Sequence, residues 1–83
     1  MKLVTIYTTD YCPYCARVKN LLKSKQIFFK EVDITHQDKL RAELEEKTGW
    51  MTVPMIFIGE EFIGGCDDLY ALNTSGKLDQ KLR

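Results

Sequence analysis

The spacing of apolar and polar positions divides the chain into short, clearly bounded elements. Leu3, Val4 and Ile6, with Thr5 and Tyr7 among them, predict a buried strand over Lys2 to Tyr7. From Pro13 the period becomes helical. Tyr14, Val18, Leu21 and Leu22 fall on one stripe, while Arg17, Lys19, Asn20 and Lys23 turn mostly to water. Lys23 and Lys25 stand near the end of that helix, where cations oppose the negative end of its dipole. Ile27 to Ile34 predicts a second strand. Strand, helix and strand form a βαβ unit, so the two strands are expected to be parallel neighbours with a right-handed crossover.

Thr35-His36-Gln37-Asp38 reads as a capping-box variant, with Asp38 in place of the usual Glu or Gln. The helix it opens turns Leu40 and Leu44 inward and stops at Gly49, a good residue just past a helix end. Arg41, Glu43, Glu45, Glu46 and Lys47 form its solvated face. Met55-Ile56-Phe57-Ile58 and Glu61-Phe62-Ile63-Gly64 flank Gly59-Glu60, which predicts a hairpin closed by a type II′ turn. Gly64-Gly65 ends the sheet. Cys66-Asp67-Asp68 then opens a helix with both acids at its positive end, and Leu69, Tyr70 and Leu72 pack it onto the sheet. Asn73 to Gly76 breaks that helix, and Lys77 to Arg83 adds a short helical turn through Leu78 and Leu82.

With 83 residues the chain is expected to form one domain, 1-83, with a modest core. Twelve basic and twelve acidic residues cancel, which argues against nucleic acid or an anionic membrane as the main partner. Three cysteines are too few for a secreted disulfide framework. Met1 to Tyr7 shows neither a long apolar core nor a cleavage site, and no run reaches the roughly 18 apolar residues of a membrane span. A reducing, cytoplasmic location is expected.

The chemistry centres on Cys12-Pro13-Tyr14-Cys15, placed where the strand pattern gives way to the helical one. In a first helical turn, unpaired N–H groups and the dipole favour an anion, and a cysteine pKa of about 8.5 can fall to roughly 3.5–7.5. Pro13 suits the first helical position, because its φ is already helical and its missing N–H is not needed there. Cys15 lies close enough to attack a mixed disulfide on Cys12. The same spacing opens many zinc sites, but no second cysteine pair or histidine pair follows, and no metal is expected. His36, the only histidine, reads as a surface residue at a helix start. The dipole can activate Cys12 without a base.

Strand, helix, strand, helix, hairpin and helix, with C-x-x-C after the first strand, is the order of the thioredoxin architecture. Three separated motifs narrow the resemblance: Cys12-Pro13-Tyr14-Cys15, Thr52-Val53-Pro54 and Gly64-Gly65-Cys66-Asp67-Asp68. Together they resemble the glutaredoxin family, and within it the small bacterial dithiol members of the glutaredoxin-3 kind. That resemblance implies an α/β, thioredoxin-like fold with a four-stranded mixed sheet, order 2-1-3-4, flanked by three to four helices. It also implies reduction of protein–glutathione mixed disulfides and some protein disulfides. Glutathione would be a co-substrate, with no tightly bound cofactor, disulfide-containing or glutathionylated client proteins as partners, and a monomeric state.

The resemblance further implies roles for individual residues. Cys12 is expected to be the nucleophile and Cys15 the resolving thiol. Pro54 is expected to be cis and to face the dithiol, leaving the Val53 backbone free to pair with a bound tripeptide beside Thr52. Gly65, Cys66 and Asp67 match the segment that holds the γ-glutamyl end: helix amides for its carboxylate, the Asp67 side chain for its ammonium. Asp67 and Asp68 also read as simple helix caps, and one can do each job. Tyr14 is expected to line the thiol site. Arg41 reads equally as a ligand of the glycine carboxylate or as a solvated helix residue, and Cys66 reads as a small packed or partly exposed third thiol and not as a catalyst.

One position departs from the family pattern. Many members carry a lysine three residues before the first cysteine, where this chain has Thr9. Trp50-Met51 sets a large apolar pair beside the site, suited either to docking a protein or to loop packing. Two other roles share parts of these motifs. A thioredoxin-like redoxin served by a flavoprotein reductase would usually carry Gly-Pro between its cysteines and lack the Gly-Gly-Cys-Asp segment. A glutathione-ligated iron–sulfur carrier more commonly lacks the second thiol.

Overall fold

The computed structural model describes residues 1–83. Its elements run β1 (Val4–Thr8), α1 (Pro13–Ser24), β2 (Phe29–Asp33), α2 (Asp38–Thr48), β3 (Met55–Ile58), β4 (Glu61–Gly64), α3 (Cys66–Thr74) and α4 (Leu78–Leu82). The sheet order is β2-β1-β3-β4, as the resemblance implies. β1 runs parallel to β2 and antiparallel to β3, and β3 is antiparallel to β4. β1 and β2 are both shorter than the apolar runs that predicted them, while β4 keeps the bounds expected of it. Leu3, whose side chain is exposed, and Ile27, which packs in the core, lie outside the ladders.

Alternation along the two central strands sorts the core into two layers. Val4, Ile6, Ile56 and Ile58 face Val18 and Leu22 of α1, Leu69 of α3, and Leu78 and Leu82 of α4. Met55 and Phe57 point the other way, to Leu44 of α2 and to Ile34, with Tyr7, Leu40, Trp50 and Phe62 around them. All four residues of β3 are buried because both of its faces are covered. α2 ends at Gly49, whose φ of 72° is the left-handed conformation expected of a helix terminus. Gly59 has φ 61° between the paired Ile58 and Glu61, while Glu60 keeps a negative φ, as a type II′ turn requires.

The capping box expected at Thr35 to Asp38 does not form. Gln37 stands at the helix start and makes no side-chain cap. The Thr35 hydroxyl is occupied elsewhere: it donates to Asp33 and accepts the Asp10 backbone N–H at 3.0 Å. A tertiary bond to the β1–α1 loop therefore outcompetes the local cap. The Thr35 hydroxyl and its backbone N–H both hold the Asp33 carboxyl below the usual carboxylate range.

Burial sets the energetic ranking of these side chains. Leu69→Ala, at a fully buried position between α3 and the sheet, should cost about 2–5 kcal/mol in urea unfolding. Phe28→Ala, at a position 89% exposed, should stay within about 0.5 kcal/mol of the parent.

Candidate active site

Strand direction brings the three sequence motifs to one edge of the sheet. Tyr7, near the end of β1, pairs with Met55 at the start of β3. Ile56 in turn pairs with Gly64 at the end of β4. The segment after β1 carries Cys12, the segment before β3 carries Val53-Pro54, and the segment after β4 carries Gly65 to Asp68. They enclose an open groove of about 690 Å³.

Cys12 occupies the cap position of α1, one residue before the helical turn in which it was expected. Its backbone is extended (φ −117°, ψ 99°), and its sulfur accepts the Cys15 N–H at 3.0 Å. An acceptor at this position satisfies one of the free amides at a helix start, so the N-cap role and the redox role use the same atom. Pro13 takes the first helical position, as expected. Cys12 and Cys15 are joined in a disulfide with their Cα atoms 5.1 Å apart. Cys15 is buried, whereas Cys12 is partly exposed and lines the groove. Across from them the Val53–Pro54 bond is cis, and the Val53 carbonyl oxygen lies 3.6 Å from the Cys12 sulfur.

The third wall is the start of α3. Here the two acids divide the work left open by the sequence. Asp68 turns back and accepts the Gly65 N–H at 2.9 Å. Asp67 makes no such bond and stands exposed at the groove. Gly64 permits this cap: its φ is +123°, and a Cβ there would collide with the Asp68 carboxylate. A Cβ on Gly65 would meet the Trp50 ring at 3.3 Å. Trp50 thus forms the floor beneath Gly65, set edge-on to Phe62, with its indole N–H buried and without a partner.

Of the residues singled out from sequence, Cys12, Tyr14, Arg41, Thr52, Val53, Pro54, Gly65, Cys66 and Asp67 all line the groove, and Cys15 is bonded beneath it. Arg41 also pairs with Glu45 on its own helix at 3.4 Å, so both of its readings hold geometrically. Met51, 68% exposed, sits on the rim, while Trp50 packs inward. Tyr14 does not follow the buried stripe of α1. It is 54% exposed and lines the groove, while Cys15 in the same turn is buried. His36 is exposed and lies outside the groove.

Two contributors escaped the sequence reading. Tyr11, 88% exposed, adds an aromatic side chain beside Cys12, and its place within a C-x-x-C flank was the available signal. Arg17, read as a solvated residue, lies against the rings of Tyr14 and Tyr70. Only its spacing of three residues from Tyr14 hinted at this.

A redox-active cysteine pair at a helix start, opposite a cis proline in a thioredoxin-like fold, defines the chain as a thiol–disulfide oxidoreductase. Residues 4–63 match the glutaredoxin family model, and the chain belongs to the glutaredoxin family. It is 54% identical to a glutaredoxin of Pseudomonas aeruginosa over 99% of this chain and 98% of that one. It is 49% identical to glutaredoxin 3 of Escherichia coli K12 over the full length of both. A buckwheat glutaredoxin–glutathione complex superposes with a TM-score of 0.90 at 34% identity, covering 95% of this chain and 74% of that one.

Cys66 is 5% exposed, and burial pushes its thiol above the ordinary range, with Arg17 acting in the opposite direction and Asp67 adding to the rise. A raised folded value means stability that is fully present below the unfolded thiol pKa of about 8.5 and is lost as pH rises through the folded value. In the oxidised protein, the stability difference between the parent and Cys66→Ala should therefore shrink above about pH 8.5. A difference that stays flat from pH 7 to 11 contradicts a protonated, buried thiol.

Proposed function

We propose that this glutaredoxin reduces protein–glutathione mixed disulfides, with glutathione as the second thiol substrate, in a reducing compartment such as the cytoplasm. The observation that carries the reading is the convergence of Cys12, the Val53 backbone and the Asp67 end of α3 on one groove. Glutathione brings a disulfide sulfur, a peptide backbone and an ammonium beside a carboxylate. Each has a counterpart there. The similarity to a protein solved as a glutathione complex supports the same ligand.

In the reduced enzyme the Cys12 thiolate attacks the glutathione sulfur of the client's mixed disulfide. That S–S bond breaks, the client leaves as a thiolate and takes a proton, and glutathione stays on Cys12. The Cys15 N–H, which lies 3.0 Å from the Cys12 sulfur in the disulfide form, is placed to stabilise the anion before attack and again when Cys12 leaves. A second glutathione thiolate then attacks the bound glutathione sulfur, giving glutathione disulfide and free Cys12. For protein disulfides the client itself is held on Cys12. Cys15 attacks the Cys12 sulfur, expels the client thiol, and leaves the Cys12–Cys15 disulfide for two glutathiones to reduce.

Val53 and Thr52, in the segment before β3, offer their backbone groups to the tripeptide in a strand-like pairing. Asp67 takes the γ-glutamyl ammonium, the α3 amides take its carboxylate, and Arg41, which also lines the groove, takes the glycine carboxylate. Tyr14 closes the groove over the sulfur. With Thr9 in the place of a lysine, the cationic contribution rests on Arg41 and on the two helix starts.

The route predicts a division between the thiols. Cys15→Ser should retain most turnover of a glutathionylated peptide, with glutathione and its reductase as the coupling system, and lose reduction of protein disulfides. Cys12→Ser should lose both. If Cys15→Ser is as inactive as Cys12→Ser on the glutathionylated peptide, the glutathione-specific route is wrong.

The two acids of α3 should also separate. Asp67→Lys should lower glutathionylated-peptide turnover at least about tenfold, equivalent to 1.4 kcal/mol, with the fold intact and no more than about 2 kcal/mol lost from the reversed charge at the helix start. Asp68→Ala, which removes the bond to Gly65 N–H, should cost about 1 kcal/mol in stability. Normal kinetics for Asp67→Lys would leave that residue without a ligand role.

A further inference from the structure

Arg17 lies outside the groove, yet it touches both helices that form it. Its guanidinium carbon stands 6.0 Å from the centroid of the Tyr14 ring and 5.2 Å from that of Tyr70. Tyr14 precedes Arg17 by one helical turn on α1, so the two side chains share a face. Tyr70 belongs to α3, one turn after Cys66, and its hydroxyl donates to the Arg17 carbonyl at 3.3 Å. A planar cation between two aromatic faces loses little rotamer freedom per contact and is attracted by both rings. Its charge also reaches the first residue of α3, where it favours the Cys66 thiolate against burial.

We propose that Arg17 is a positioning residue, clamping the half-exposed Tyr14 ring as the wall of the groove and tying it through Tyr70 to the helix that carries Asp67. Tyr14 has little else to hold it. Its ring is 54% exposed, and neither hydrophobic layer includes it. Without the guanidinium the ring is free to sample other rotamers, and substrate must order it on binding. That cost falls on affinity and not on the sulfur chemistry, which proceeds at Cys12 in the groove that Arg17 does not line.

The kinetic arm rests on the glutathione reading; the structural arm does not. In the reduced protein, NOEs are expected from the Arg17 δ-protons to the ring protons of both Tyr14 and Tyr70, and their absence overturns the clamp whatever the substrate. Arg17→Met keeps the aliphatic stem and removes the planar cation. It should raise KM for a glutathionylated peptide about three- to tenfold while kcat stays within about twofold, and Arg17→Lys should recover part of the loss. In a Tyr14→Leu background, Arg17→Met should have no further effect on KM, because its partner is gone. Additive effects, or a fall in kcat matching that in kcat/KM, overturn the proposal. If the parent does not turn over glutathionylated peptide, the glutathione reading fails, and the same cycle read on a protein disulfide decides the role of Arg17.

Discussion

The site depends on the antiparallel pairing of β3 with both β1 and β4. Because Tyr7 lies opposite Met55 and Ile56 opposite Gly64, the end of β1, the start of β3 and the end of β4 meet at one sheet edge. Segments some forty residues apart in sequence thereby come within 3.6 Å, the separation of the Cys12 sulfur and the Val53 carbonyl. Two packed layers hold this register. A slip of one residue in β3 would exchange Ile56 and Ile58 with Met55 and Phe57 between the two faces, and both cores would lose their fit. The energy that protects the active geometry is thus largely hydrophobic, and Cys66, Trp50 and Val53 carry it from the two layers to the groove wall.

At that edge, two helices begin side by side, and each puts its start to chemical use. α1 offers the Cys15 N–H to the Cys12 sulfur. α3 satisfies its own Gly65 N–H with Asp68, which leaves Asp67 at the groove. The net charge of the chain is zero, so local charge must come from such placements and not from an overall field. Glycine makes the second helix start possible. Gly64 leaves room for the Asp68 carboxylate, and Gly65 leaves room for the Trp50 ring below.

Much of this was legible in the chain. Residues whose roles follow from local chemistry were placed correctly: Pro13 at the first helical position, Gly49 at a helix terminus, Gly59 in a two-residue turn. The element order and the resemblance carried the sheet order and the grouping of Cys12, Pro54 and Asp67. Local rules misled where a distant partner competed. Thr35 has the sequence of a cap, but Asp33 and the Asp10 N–H claim its hydroxyl. Tyr14 has the spacing of a core residue, but its ring lines the groove and meets the Arg17 guanidinium instead.

By itself, then, the sequence determined the elements, the dithiol and its helix-start setting, because periodicity, turn chemistry and a motif four residues long act over short distances. Tertiary structure alone decided which of two adjacent acids caps α3 and which faces the groove, and where Arg17 finds its partners. It also decided that Cys66 is buried in the groove wall while Cys12 is partly exposed. Those outcomes depend on the direction and packing of side chains from separate segments. No spacing within one segment encodes the position of a ring or carboxylate delivered by another.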